Sequence, residues 1–179
     1  MDTGQAPPTD SELVHRARKG EHDAFHLLVD RHSGALYALA VSLVGNTADA
    51  EDVVQEALTA AFLGLKQFEE RSSVRTWLTQ ILMRQAWRHY RRKRRPMLVR
   101  PEARAHSPSQ QRLADVRMDV TDAILKLEPE FREVIVLREL EAMSYDQIAA
   151  VLDVPKGTVE SRLHRARRAL QELLRDHLH

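Results

Sequence analysis

Hydrogen-bonding and basic side chains recur at helical spacing near the end of the chain, and such side chains can read the edges of nucleic-acid bases. One side of the segment after residue 155 is polar and basic, with Glu160, Ser161, His164, Arg165 and Arg168. The other side is apolar, with Val159, Leu163, Ala166, Leu170 and Leu173. Serine, histidine and arginine hydrogen-bond base donors and acceptors, and a lysine at a helix N-terminus suits phosphates. The pattern predicts an amphipathic helix whose polar side contacts nucleic acid.

A short helix and a sharp turn precede this segment and would position it. Ser144 and Gln147 have the spacing of a capping box, and Asp153-Val154-Pro155 predicts the turn. A short helix, a tight turn and a longer helix with a basic front form a helix-turn-helix, whose second helix enters the DNA major groove. A merely solvated helical hairpin is the alternative, but the turn length, the proline position and the basic bias favour DNA binding. Lys156 at the helix N-terminus would contact phosphates, and Ser161, His164 and Arg165 can reach base donors and acceptors.

Charge is divided unevenly along the chain, although the formal net charge is only +1. Residues 1–83 contain 7 Lys and Arg against 12 Asp and Glu, residues 84–117 contain 11 against 2, and residues 118–179 contain 9 against 12. A protein with this asymmetry can meet a polyanion with one surface and a basic or mixed partner with another. The basic middle would attract duplex DNA in a salt-sensitive way, through Arg84, Arg88, Arg91, Arg92 and Arg95.

Helical periodicity dominates the chain and no run alternates as a strand would, so the sequence predicts an all-α fold. Two small helical domains joined by a flexible linker are expected. The expected boundaries are a disordered N-terminus at 1–10, a helical bundle at 11–95, a proline-rich linker at 96–114 and the helix-turn-helix domain at 115–179. Asp10 or Ser11 is expected to cap the first helix and Thr47 the third, and Pro96 is expected to end the fourth.

The composition narrows the class of protein. The chain has no Cys, which excludes disulfides and thiolate metal sites and fits a reducing cytosol. The N-terminus lacks the pattern of a signal peptide, and no apolar run reaches the roughly 18 residues of a membrane span. We therefore expect a soluble cytoplasmic protein without membrane insertion. The chain ends soon after its last helix, so no appended regulatory domain is expected.

Enzymatic or metal chemistry is the weaker interpretation of the sequence. Nine His residues are present, and His22 and His26 share a helix face at the spacing of a ligand pair. No third ligand stands at metal-site spacing, and no Gly-rich phosphate loop occurs. We therefore expect no catalytic residues, no metal site and no cofactor. Stoichiometric bound zinc or cobalt would contradict this expectation.

Three segments, in order, resemble one family. Region 4 of extracytoplasmic-function (ECF) sigma factors resembles the segment SYDQIAAVLDVPKGTVESRLHRARRAL. Region 2.2 of the same family resembles DAEDVVQEALTAAFLGLKQF, and regions 2.3 and 2.4 resemble SSVRTWLTQILMRQAWRHYRRKRR. The resemblance spans about residues 11–175. It implies a bacterial protein, monomeric when free, that docks on core RNA polymerase through the clamp helices of the largest subunit and the flap region. Such a subunit directs polymerase to promoter DNA, opens it, and is associated with the nucleoid through polymerase. The family also leads us to expect an anti-sigma factor.

The resemblance assigns roles to residues of this chain. The region 2.2 helix implies a polymerase-binding set of polar residues, Asp49, Asp52, Gln55 and Glu56. The loop before the fourth helix would capture an unstacked base of the downstream (minus-ten) element, and the basic helix would hold single-stranded and duplex DNA. The matching residues are Phe68, Arg71, Ser72, Ser73, Arg75, Thr76, Arg84, Arg88, Arg91 and Arg92. The resemblance also implies that the helix-turn-helix reads the upstream (minus-thirty-five) element, through Lys156, Thr158, Glu160, Ser161, Arg162, His164, Arg165 and Arg168.

Two residues depart from the family pattern. Glu160 stands where many relatives carry Lys or Arg, so it either accepts from a cytosine amino group or repels phosphate. Arg84 stands where relatives often have Asn, so no base contact is assigned to it. A helix-turn-helix regulator that binds DNA without polymerase is the alternative function. The DAEDVVQEA helix and the basic fourth helix argue against that alternative.

Overall fold

The structure, a computed structural model, describes residues 6–93 and 120–177. Its α-helices are α1 (Asp10–Arg18), α2 (His22–Val44), α3 (Thr47–Gly64), α4 (Val74–Lys93), α5 (residues 120–126), α6 (Pro129–Ile135), α7 (Tyr145–Leu152) and α8 (Lys156–His177). A short 3-10 helix follows α3 at Leu65–Gln67, and α6 continues as a π-helical segment, Val136–Leu140. Neither described range contains a strand, and the predicted all-α fold of two helical domains is confirmed. The predicted linker at 96–114, with Pro96, lies outside the described residues.

The caps of α1 and α3 each lie one residue or more before the predicted position. Thr9, rather than Asp10 or Ser11, caps α1, and Asn46, rather than Thr47, caps α3. Each cap accepts a hydrogen bond from the backbone amide three residues later, Thr9 at 3.3 Å and Asn46 at 2.8 Å. An N-cap needs an extended backbone, which Thr9 and Asn46 have, whereas the residues after them are already helical.

The helix-turn-helix forms as the sequence predicts. The capping box of Ser144 and Gln147 opens α7, with the Gln147 side chain accepting from the Ser144 amide at 2.8 Å. Asp153 then reverses the chain in the left-handed conformation, with φ at +56°, which an Asp tolerates better than most residues. The α8 helix begins two residues after Val154, at Lys156.

Helices α1 to α4 form the first domain. Helix α2 packs against α1, α3 and α4, and α3 packs against α4. Burial of their apolar stripes supplies most of the stabilisation, since each fully buried Leu or Val contributes about 1.5–3 kcal/mol. The core includes Leu13, Val14, Leu28, Leu39, Val53, Ala57, Leu78, Leu82 and Met83.

Helix α2 passes a membrane-span test by length and composition alone, and it is the one helix of the described residues that does so. Six of its residues, including Leu28, Leu36 and Leu39, are buried in the protein core. Its packing against three neighbouring helices buries part of its apolar surface.

Helices α5 to α8 form the second domain, in which α6 and α7 both pack against α8. The apolar side of α8 predicted from the sequence is buried here, with Val159, Leu163 and Ala166 no more than 1% exposed. An ion pair also links α8 to the π-helical segment, because the Arg167 guanidinium lies 2.9 Å from the Glu139 carboxylate. This packing leaves the opposite side of α8 free to contact a ligand.

The two domains also pack against each other, and one continuous cluster of buried apolar residues runs through both. Helix α4 contacts α7, and α2 contacts α6 and the π-helical segment. Gly45, with φ at +84°, lies so close to α5 that an added Cβ would stand 3.0 Å from a methyl group of Leu125. Arg75 of α4 pairs with Glu141 at 2.7 Å across the same interface.

Arg132 of α6 is the polar centre of this interface. Its guanidinium donates to one carbonyl in the last turn of α2 and to three carbonyls at the end of α5, namely those of Leu43, Ile124, Leu125 and Leu127. Helix C-termini leave carbonyls without intrahelical donors, and one planar guanidinium with five N–H groups can satisfy several of them. Arg132 therefore joins the ends of helices from both domains.

Glu133 of α6 is a buried carboxyl, 6% exposed, that contacts the first domain. Burial raises its pKa from 4.5 to about 7, against the opposing effect of a hydrogen bond from the Trp87 indole and of the Arg162 charge.

We expect the stability of the chain to fall as pH rises from about 4.5 through 7, because the folded state binds the Glu133 proton more tightly than the unfolded state does. The contribution of the Glu133 proton to the free energy of unfolding is complete below pH 4.5. By pH 8 this contribution has fallen by on the order of 3 kcal/mol. Denaturant unfolding of the wild type and of Glu133→Gln between pH 4.5 and pH 8 measures this pH dependence of the free energy of unfolding. The neutral amide should flatten the decline, and an equally steep decline in both proteins would assign the pH dependence to other groups.

Candidate polymerase and nucleic-acid interfaces

One side of α4 carries exposed, unpaired positive charge. Arg84, Arg88 and Arg91 follow each other by four and three residues and all are exposed. Within residues 6–93 and 120–177, none of the three has an acidic partner. Unpaired guanidinium groups in a row form a surface that suits a phosphate backbone.

The neighbouring side of α4 is paired with α3. Arg92 contacts both carboxylate oxygens of Glu56, at 2.9 and 3.0 Å, and Lys93 pairs with Asp49. Burial raises the pKa of Asp49, but hydrogen bonds from Lys93 and Asn46 outweigh it and hold the pKa below its usual value. Two predicted polymerase-binding acids, Asp49 and Glu56, are therefore held by basic residues of the same chain, and Arg92 is held with them.

The other two predicted polymerase-binding residues are free on α3. Asp52 and Gln55 are exposed, and no salt bridge joins Asp52 to any described residue. Gln55 borders an open groove of about 510 Å³ between α2 and α3. The groove combines apolar and hydrogen-bonding side chains, and it is lined by Ser33, Gly34, Tyr37, Glu51, Val54, Gln55, Leu58 and Thr59. Such a groove suits the side chains of a partner helix.

The loop between Gln67 and α4 divides into a buried start and an exposed end. Phe68 is 6% exposed and stacks on Trp77, with ring centroids 4.5 Å apart and planes at 20°. Its ring lies in the core, so it does not contact a base in this conformation. Arg71, Ser72 and Ser73 are exposed. These three residues form the accessible end of the loop.

The first turn of α4 is shaped by the end of the loop. The Ser73 hydroxyl accepts from the Thr76 amide at 3.1 Å and lies 2.9 Å from the Thr76 hydroxyl. Arg75, also predicted to contact DNA, is more than half exposed but pairs with Glu141 of the second domain. The loop end and the first turn of α4 thus form one polar surface beside the domain interface.

The exposed side of α8 contains the predicted base-reading residues Glu160, Ser161, His164 and Arg165. At its N-terminus, Lys156 pairs with Asp146 at 3.0 Å and Thr158 is half-buried. Further along, Arg168 is exposed and lies 3.9 Å from Glu172.

Arg162 differs from its neighbours, because its guanidinium lies 3.3 Å from Glu130 of α6 and only 23% of the side chain is exposed. The structure therefore brings seven of the eight predicted α8 residues to the solvent-facing side or the N-terminus, and turns Arg162 toward the domain core.

Sequence reasoning missed the residues that hold these surfaces in place. Arg18 binds the loop after α3, Arg132 binds the helix ends at the domain interface, and Arg167 ties α8 to Glu139. Their acceptors are mostly backbone carbonyls, which no residue type reveals in advance. Their helical spacing gave no signal either, since arginines on amphipathic helices are usually solvated.

The parts of the chain that the structure describes contain no cluster of candidate metal ligands. No three His, Asp or Glu residues of these parts lie together as ligands would. His22 instead stacks on Phe62, with ring centroids 6.1 Å apart.

Two family descriptions match the chain in the order expected from the motifs. "Sigma-70 region 2" matches residues 28–96, and "Sigma-70, region 4" matches residues 117–170. Because both regions match, a helix-turn-helix regulator that lacks a polymerase-docking domain is not supported.

Relatives of known function match over nearly the whole chain. The RNA polymerase sigma-H factor of Pseudomonas aeruginosa is 36% identical, with 93% of this chain and 96% of that protein covered. The ECF RNA polymerase sigma-E factor of Escherichia coli is 36% identical, with 90% and 92% covered, and SigW of Bacillus subtilis is 31% identical, with 91% and 95% covered.

Solved structures agree with these relatives. CnrH in complex with the cytosolic domain of CnrY has a TM-score of 0.71 and 32% identity, with 93% of this chain and 97% of that chain covered. The sigma factor RpoE of Bartonella quintana, in complex with the anti-sigma factor NepR, has a TM-score of 0.71 and 33% identity, with 84% and 96% covered. The chain belongs to the extracytoplasmic-function sigma factors of the sigma-70 family.

Proposed function

We propose that this sigma factor docks on core RNA polymerase through α3, holds the downstream promoter element with α4 and the loop before it, and reads the upstream element with α8. The observation that carries the proposal is the exposed arginine row of α4, which has no acidic partner among the described residues and lies beside an exposed polar loop, in a chain whose second domain presents the polar side of a helix-turn-helix. Neither surface, in the described residues, contains a group placed for bond-making chemistry, so we expect the chain to act by binding.

The docking step uses the exposed part of α3. Asp52 and Gln55 can pair with basic and amide groups of a partner helix, and the groove beside Gln55 receives its apolar side chains. Glu56 joins them only if the partner displaces Arg92, to which both its oxygens are bound. Docking at Glu56 would then release Arg92 toward DNA.

The opening step uses contacts that exist only with separated strands. Extruding a base costs a few kcal/mol of unstacking and unpairing. Ser72, Ser73 and Arg71 at the loop end supply hydrogen bonds and charge to the extruded base and its phosphates, which offsets this cost. The arginine row of α4 holds the adjoining duplex.

Binding both promoter elements at once requires the two domains to separate. Elements about 25 base pairs apart are roughly 85 Å apart along B-DNA at 3.4 Å per base pair. In the arrangement described here α4 contacts α7, and Arg75 is held by Glu141. We infer that the packed form is the free protein and that polymerase binding opens it, after which the tether makes the second DNA contact effectively intramolecular.

The relatives support a proposal about a further partner. Because RpoE of Bartonella quintana is bound by an anti-sigma factor, we propose that an anti-sigma factor also binds this chain. Action with polymerase on chromosomal promoters places the protein in the bacterial cytoplasm, at the nucleoid. The expected free form is a monomer.

We expect the double variant Asp52→Ala/Gln55→Ala to lose about 3 kcal/mol of binding to core polymerase, roughly a hundredfold in Kd, because it removes two exposed polar groups from the docking surface. Labelled sigma factor titrated with core enzyme measures the Kd, and runoff transcription from promoter fragments measures function. Glu56 is left in place so that the Arg92 pair stays intact.

The matched control is Asp122→Ala, which removes an exposed carboxylate of α5, in the second domain. It should keep the wild-type Kd. Sequence-specific DNA binding by the free chain, with no affinity for core polymerase, would reject the proposed mechanism.

A further inference from the structure

The loop proposed to capture a base contains a strained residue. Glu70 has φ at +55°, in the left-handed region that non-glycine residues rarely occupy. Such conformations persist only where surrounding contacts hold them, and they occur often at binding loops. The contacts that hold Glu70 therefore determine the path of the loop.

Helix α1 supplies those contacts. The Ser11 hydroxyl donates to one carboxylate oxygen of Glu70 at 2.7 Å, and the Arg18 guanidinium donates to the other at 2.8 Å. The Ser11 hydrogen bond and the Arg18 charge lower the pKa of Glu70, so the carboxylate stays ionised at neutral pH. Both oxygens of the strained residue are thus fixed to one helix.

Arg18 also binds the start of the loop. Its Nε donates to the carbonyl of Leu65 at 3.1 Å, and its Nη2 donates to the carbonyl of Phe68. The guanidinium carbon lies 6.0 Å from the centre of the Phe68 ring, and that ring stacks on Trp77 of α4. All three guanidinium nitrogens of Arg18 therefore hold the segment from residue 65 to residue 70.

The loop is fixed at both ends and open between them. Its start is held by Arg18 and by the stack of Phe68 on Trp77, and its end is held by Ser73, which caps α4. Arg71 and Ser72 between these points are exposed. A different backbone conformation at Glu70 would shift the side chains of Arg71 and Ser72 relative to α4.

We propose that α1 is a positioning element for base capture, in which Ser11 and Arg18 hold Glu70 in its left-handed conformation and so aim the loop end at the extruded base. This inference rests on the proposed role of the loop. Helix α1 lies before residue 28, where the match to sigma-70 region 2 begins. Ser11 and Arg18 act through Glu70 and touch no DNA, so they are positioning residues.

The test uses the full chain with core polymerase and a promoter that the wild-type chain transcribes. Each position of the downstream element is changed to all four bases in turn, and runoff transcription gives the base preference at each. We expect Arg18→Met to reduce the preference at the captured position about tenfold, while the preferences in the upstream element and the Kd for core polymerase stay at wild-type values. A general loss of folding would instead reduce the base preferences in both elements and raise the Kd for core polymerase.

Two further variants sharpen the test. Ser11→Ala removes one exposed hydrogen bond, so it should fold normally and reduce the same preference by a smaller factor, about threefold. Arg16→Met is the matched control on α1, because Arg16 pairs with Glu21 at 2.9 Å and does not touch the loop. It should keep every base preference.

The outcomes separate this inference from the proposed function. If the wild-type chain gives no promoter-specific transcripts, the proposed function fails and the inference fails with it. If the wild-type chain transcribes but folded Arg18→Met keeps the full preference at every downstream position, only the inference is overturned. Should Arg18→Met not fold, unchanged preference in Ser11→Ala overturns it instead.

Discussion

Replacing Arg84, Arg88 and Arg91 together by alanine is expected to weaken promoter binding by the polymerase complex roughly a hundredfold at physiological salt. Each guanidinium that neutralises a phosphate of duplex DNA contributes about 0.9 to the slope of log K against log salt concentration. The three side chains are exposed on one side of α4 and have no acidic partner among the described residues, so no freed acid compensates their loss. Fluorescence anisotropy of a promoter fragment, titrated at several salt concentrations, should give a slope smaller by about 3.

A variant that loses the same charge elsewhere is the control. Lys19, Lys66 and Arg175, replaced together by alanine, remove three exposed positive charges without altering α4, and none of the three pairs with an acid among the described residues. The salt slope should then remain close to the wild-type slope. Equal slopes for the α4 variant and the wild type would mean that α4 does not lie along phosphates.

Replacing Arg132 by methionine is expected to lower the free energy of unfolding by about 3 kcal/mol or more. The substitution keeps an apolar stem of similar length but leaves the carbonyls of Leu43, Ile124, Leu125 and Leu127 without their donor. An unsatisfied buried polar group costs about 1–3 kcal/mol, and partial hydration of the helix ends keeps the sum below four full penalties. Urea unfolding followed by circular dichroism gives the change from the shift of the midpoint.

Arg138→Met is the matched control for this second experiment. Arg138 donates to one backbone carbonyl, that of Met143 at 2.7 Å, and lies over the ring of Tyr145. We expect a loss of about 1 kcal/mol. If both substitutions destabilise the chain equally, the several acceptors of Arg132 do not contribute as the geometry indicates.

Local signals in the sequence were sufficient for most of the fold. The capping box at Ser144, the turn at Asp153 and the apolar spacing from Val159 to Leu173 predicted α7, the turn and α8. These features depend on residues close together in the chain, so periodicity and capping chemistry reveal them. The caps at Thr9 and Asn46 were misplaced because consecutive residues could each serve, and the backbone conformation decides between them.

The site was predictable only in part. Exposed residues such as Arg88 and Arg165 follow from helical spacing, but the burial of Phe68 and the turn of Arg162 toward Glu130 depend on tertiary packing. The π-helical segment after Ile135 has no pattern that distinguishes it from an α-helix. The pairing of Arg92 with Glu56 could not be predicted from the sequence, because the two residues lie far apart in the chain and meet only where α3 packs against α4.

The placement of the two tryptophans gives the protein a built-in optical signal. Trp77 stacks under the loop on Phe68, whereas the indole N–H of the half-exposed Trp87 reaches across to buried Glu133 of the other domain. The chain has no other Trp. A Trp77→Phe chain would therefore emit from Trp87 alone, and the wavelength and quenching of that emission would report the domain separation that we propose, without an attached dye.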